Sequence, residues 1–156
     1  MGTPAPLQNF VNLSALLTGI DAGKLAPSLD PKNVKQIYFD YISAQAPQEF
    51  AQLLAIYAAN ATQPPAAIAD LIFNRSGVGI CYLARSVMLA WYLGSWYAPA
   101  DLAARKSTNV VISSIGYTQG WSWNVAQAHP MGYSNFKFGY WAASPPSLAD
   151  FVGGAA

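Results

Sequence analysis

Charge is what this chain has least of. Asp, Glu, Lys and Arg make up 10% of its 156 residues, against about 25% in an average soluble domain. The eight cations and seven anions nearly cancel, leaving a formal net charge of +1. That balance excludes a basic footprint for nucleic acid and a charged, solvated tail. Cysteine is nearly missing too. Cys81 stands alone, which excludes an intrachain disulfide and a cysteine-rich zinc site. A single histidine, His129, adds nothing to a metal site. There is no GxGxxG behind a strand and no GxxxxGK[ST], so nucleotide binding has no support.

The N-terminus, Met1-Gly2-Thr3-Pro4-Ala5-Pro6, carries neither a basic n-region nor an apolar h-region. Two expectations follow: a cytoplasmic chain, or one whose leader was removed and replaced by Met1. Pro6 occupies the position where myristoylation wants Ser or Thr. No run is long enough to span a bilayer. Val78 to Leu93 falls short of the ~20 residues a span needs, and Arg85 near its centre would cost at least ~2.5 kcal/mol there. The expectation is no transmembrane segment and no nucleic-acid partner.

What is abundant is apolar and aromatic: 53% of the residues are hydrophobic, with five Trp, nine Tyr and seven Phe. A folded chain of this mass exposes roughly 7,600 Å², so each charge has about 500 Å² of surface to itself. Apolar side chains must supply much of the exterior. Large apolar patches are rare on monomers, so a covering partner is expected.

Periodicity indicates a mainly α domain of about five packed helices, followed by an extended aromatic arm. The expected layout over 1–156 is a loose lead-in at 1–8, a helical body at 9–115 and the arm at 116–156. Phe10, Leu13, Leu16 and Leu17 recur at helical spacing before Gly19. Ile20 to Leu29 reads as loop. Asp30-Pro31 has the form of a cap and first residue, ahead of a stripe of Val34, Ile37, Tyr38, Tyr41 and Ile42. Pro47 opens the next helix, which carries Phe50, Leu53, Leu54 and Tyr57 and ends near Asn60. A shorter helix runs from Ala66 to about Asn74. Gly77 to Leu93, stopped by Gly94, is apolar nearly all round and is expected at the centre. Asp101 to Lys106 makes a helical turn or two. Asn109 to Ile115 is open between strand and helix. Beyond Gly116, glycines and prolines interrupt a dense aromatic series.

Chemistry finds few footholds. Arg85, four residues after Cys81, can lower the pKa of that thiol, but an inert buried thiol is the plainer reading. His129 would need a nucleophile and an orienting carboxylate; Ser134 and Asp150 exist, without a supporting motif. The seven carboxylates, Asp21, Asp30, Asp40, Glu49, Asp70, Asp101 and Asp150, fall one per segment, and no pair has acid–base or calcium-loop spacing. The aromatic series admits three readings: a cap on the chain's own core, anchors for a partner, or a sugar-stacking platform.

Three blocks carry a family resemblance. They are Phe10-x-x-Leu13-Ser14-x-x-Leu17-Thr18-Gly19, Ala90-Trp91-Tyr92-Leu93-Gly94, and Ala128-His129-Pro130 with Phe138-Gly139-Tyr140-Trp141 and Pro145-Pro146. In order and rough spacing the chain resembles the small subunit of bacterial membrane-associated, FAD-dependent sugar and polyol dehydrogenase complexes. The resemblance implies a non-catalytic accessory subunit that holds no cofactor. FAD would sit in a glucose–methanol–choline type catalytic subunit, and haem c in a multihaem cytochrome c subunit. The small subunit would stabilise the flavoprotein and assist its export, in the periplasm at the inner membrane. The residues expected to meet the partner are Trp91, Tyr92, Trp121, Trp123, His129, Phe138, Tyr140 and Trp141. The chain departs from that pattern in carrying no twin-arginine leader, no cysteine after Cys81, and more tryptophan between Ser95 and Gln127. The rival expectations are a periplasmic carbohydrate-binding module and an autonomous enzyme using Cys81 or His129.

Overall fold

The computed structural model describes residues 5–126, 128–130, 142 and 144. It is mainly helical, as the periodicity indicates, with five principal helical segments around one core.

Helix α1 spans Ala5–Thr18 and buries Leu7, Phe10, Val11, Leu13 and Leu17. It starts earlier than expected: residues 5–8, read as lead-in, form its first turn. Pro6 sits there at no cost, because the first amides of a helix have no intrahelical acceptor. Gly19 stops the helix at φ 73°, with its amide donating to the Ala15 carbonyl. The expected loop then contains a short helix, α2 (Ala22–Leu25), capped by Asp21, whose carboxylate accepts from the Gly23 amide at 2.8 Å.

Asp30 does not cap a helix. Its carboxylate accepts from the Asn33 amide at 2.7 Å and the Lys35 ammonium at 2.6 Å, clamping the turn ahead of α3. Helix α3 begins three residues later than Pro31, at Val34–Gln45, behind Asn33 at φ 47°. Asp readily bonds its own nearby backbone, and Asn tolerates the left-handed region, so the turn outcompetes the earlier start. Helix α4 (Pro47–Asn60) begins at the proline, as expected. Helix α5 (Pro65–Asp70) widens into a π-helical turn, Leu71–Arg75. The Ser76 hydroxyl donates to the Leu71 carbonyl, and Arg75 pairs with Asp70 at 2.9 Å, across that turn.

Helix α6 (Val78–Leu93) is the central element. It packs against α1, α4, the π turn and the three short helices that follow it. Gly94 ends it in the left-handed conformation, φ 65°. A Cβ at Gly94 would collide with the Gly116 carbonyl oxygen, so only glycine lets the two segments touch.

The helical turn expected at Asp101 to Lys106 lies slightly earlier, as α7 (Pro99–Ala103), and the undecided stretch Asn109 to Ile115 supplies one strand of a two-residue pair. Strand β1 (Ser95–Trp96) pairs antiparallel with β2 (Val110–Val111), Ser95 opposite Val111. The β-branched valines extend because Trp96 and Ser95 offer backbone partners. Helices α8 (Ser114–Thr118) and α9 (Trp121–Val125) follow and pack on α6. The expected arm from 116 therefore begins as helical turns held on the body. Its remainder, 131–156 apart from 142 and 144, lies outside the described residues.

Aromatic rings hold the centre. Phe10 meets Phe50 and Phe39 edge-on at 5.6 and 5.8 Å and stacks with Trp91 at 6.1 Å. Tyr38 stands edge-on to Trp91 at 4.9 Å, and its hydroxyl donates to the Gly116 carbonyl at 3.1 Å. Among the described residues, no helix is long and apolar enough to cross a membrane.

Candidate partner-binding surface

Of the residues expected to meet a partner, Trp91, Tyr92, Trp121, Trp123 and His129 are described. Trp91 is 2% exposed and belongs to the chain's own core. It faces inward because α6 turns that side toward Phe10 and Tyr38. Its neighbour Tyr92 is half-buried; the hydroxyl donates to the Thr18 carbonyl at 2.8 Å, tying α6 to the end of α1. Burial pushes the Tyr92 phenol above its ordinary pKa.

Trp121 is half-buried and packs on the core. Trp123 donates its indole N–H to the Tyr117 carbonyl at 2.9 Å and meets the Tyr117 ring edge-on at 5.6 Å. Both are thus engaged by their own fold. The His129 Nδ1 lies 3.0 Å from the Pro130 carbonyl oxygen. Phe138, Tyr140 and Trp141 lie outside the described residues, as do Ser134 and Asp150. Cys81 is a free, half-buried thiol. The Arg85 guanidinium, the cation nearest to it in the helix, sits over the Tyr82 ring at 4.9 Å.

A different face of α6 is open. Tyr82, Met88, Leu89, Tyr92 and Leu93 on α6, with Leu102 on α7, line an apolar groove of about 410 Å³. The charged side chain in its lining is Arg85. At Tyr82 it meets a second cavity of about 420 Å³, between Val78 and Gly79 of α6, Pro99 and Ala103 of α7, and Glu49 of α4. The ends of this strip are plainly exposed: Val78 by 68% and Leu93 by 37%. From Val78 to Leu93 it runs about 22 Å at the helical rise. It can bury apolar area against another surface.

Tyr92 apart, these residues escaped the sequence reading because α6 is apolar nearly all round and was expected at the centre of the fold. A signal was present. Positions 78, 82, 85, 89 and 93 share one helical face, and the one charged residue of the helix, Arg85, lies on it. A charge near the middle of an apolar helix marks the side that faces water.

A third cavity, about 220 Å³, lies between the α2–α3 loop and α9. Lys24, Asp30, Lys32, Gln119, Trp121 and Asn124 line it, together with Trp91. The Trp91 indole N–H has no acceptor within reach among the described residues.

No family model, curated protein or solved structure matches the chain.

Proposed function

We propose that this chain is a non-catalytic small subunit that binds and stabilises a larger FAD-dependent dehydrogenase subunit of the glucose–methanol–choline type. The observation that carries the reading is the partly exposed apolar strip along α6, on a chain with 10% charged residues. The family resemblance supplies the partner's identity. The flavoprotein would oxidise a sugar, polyol or other alcohol and pass electrons to a multihaem cytochrome c subunit, in the periplasm at the inner membrane. FAD and haem c would reside in those partners.

The mechanism is mass action. A subunit that binds the folded flavoprotein and not its unfolded chain adds RT ln(1 + [L]/Kd), about 2.7 kcal/mol at a hundredfold excess over Kd. An obligate interface of this kind buries more than ~2,000 Å² in total, so the α6 strip would be its centre and not its whole extent.

The test is co-expression with a candidate flavoprotein from an adjacent reading frame. The double variant Leu89→Asp, Leu93→Asp charges the strip without touching the core. Flavoprotein yield should fall at least tenfold while the isolated variant keeps its far-UV circular dichroism. Normal yield of active holoenzyme with a well-folded variant would refute the reading.

The third cavity favours a second reading, a carbohydrate-binding module. Trp121 supplies a stacking face, while Gln119, Asn124 and Asp30 supply polar groups around a space of monosaccharide size. Saturable quenching of tryptophan fluorescence by free monosaccharides, lost in Trp121→Ala, would decide for it.

A further inference from the structure

We propose that the α6 strip docks an apolar, helix-length segment of another protein, and that this segment sets one carboxylate against Arg85. The inference deepens the accessory-subunit reading and rests on it only for the partner's identity.

Arg85 differs from the chain's ion-paired cations. Lys35, Arg75 and Lys106 each pair with a carboxylate five residues earlier, Asp30, Asp70 and Asp101. Arg85 has no such pair among the described residues and is held instead over the Tyr82 ring at 4.9 Å. That contact holds the guanidinium while Arg85 stays exposed. Around it lie Met88, Leu89, Tyr92 and Leu93. A partner that covers these side chains also covers Arg85. Covering a guanidinium with apolar groups alone strands its charge, a penalty that a hydrogen-bonded carboxylate offsets. The surface therefore calls for a mostly apolar occupant with one acid near its middle. The strip, about 22 Å long, matches some 15 residues of helix.

A second copy of this chain fits less well. Asp30, Asp70 and Asp101 are committed to their own cations. Asp21 and Asp40 accept bonds within their own segments. Among the described carboxylates Glu49 is left.

The probe is a labelled 15-residue helical peptide with leucines on one face and a central Glu, beside its central-Gln twin. Anisotropy with the full chain should show the Glu peptide binding at least tenfold more tightly. Arg85→Gln should bring the two within twofold, and Arg85→Glu should prefer a central-Lys peptide. Equal affinity for the twins, or no saturable binding of either, overturns the inference. So does a concentration-dependent dimer abolished by Arg85→Glu, or Arg85-dependent flotation with phosphatidylglycerol vesicles. The two readings fail separately. A flavoprotein complex indifferent to Arg85→Glu sinks this inference alone, whereas peptide discrimination without any flavoprotein complex sinks the accessory-subunit reading alone.

Discussion

Trp91 offers the sharpest test of the packing. Its ring is 2% exposed, stacked on Phe10 and edge-on to Tyr38, yet its indole N–H lacks an acceptor among the described residues. Two opposite contributions therefore meet in one side chain. Trp91→Ala removes the whole ring and should cost about 3–5 kcal/mol. Against a total stability of about 5–15 kcal/mol, that lowers Tm by roughly 6–20 °C. Trp91→Phe removes one ring's worth of area, a loss of about 1–2 kcal/mol. It also removes a buried donor with no acceptor, which returns about 1–3 kcal/mol. The net effect should lie between ~1 kcal/mol of loss and ~2 kcal/mol of gain. Urea unfolding followed by far-UV circular dichroism measures both variants, with an unchanged m-value marking a change in stability alone. If Trp91→Phe costs more than about 2 kcal/mol against the wild-type chain, the unpaired-donor reasoning is wrong.

Burial raises the Tyr38 phenol above its ordinary value of 10.0. Above pH 10 the unfolded chain releases that proton while the folded chain keeps it, so stability falls as pH rises, by up to ~1.4 kcal/mol per pH unit. Tyr38→Phe should lose about 0.5–1.5 kcal/mol at pH 8 with the Gly116 bond, and decline less steeply between pH 10 and 11; urea midpoints at the three pH values check this. Tyr57 and Tyr92 are raised in the same direction, so some alkaline loss should persist in that variant. Gly94→Ala combines a left-handed backbone with a clash on Gly116 and should cost more than ~2 kcal/mol, seen as a large drop in Tm. Gly79→Ala, with nothing within 4 Å of the added Cβ, should stabilise the first turn of α6 by up to ~1 kcal/mol, and its Tm should rise.

Much of the helical framework was legible along the chain. Pro47 starts α4 and Gly94 stops α6, because a proline ring and a left-handed glycine act on their immediate neighbours alone. The stripe on α3 and the central place of α6 followed from spacing of the same local kind. The scarcity of charge, and the apolar exterior it requires, also needed no coordinates. Tertiary structure decided the rest. The valines of β2 became strand only because Ser95 and Trp96 lay alongside. The site shows the same division. An apolar helix has no preferred inward side until its neighbours arrive, so Trp91 and Leu89 look equivalent in the sequence. Packing of α1, α4 and the Tyr38 ring against one side of α6 drew Trp91 into the core and left Leu89 and Arg85 on the open face.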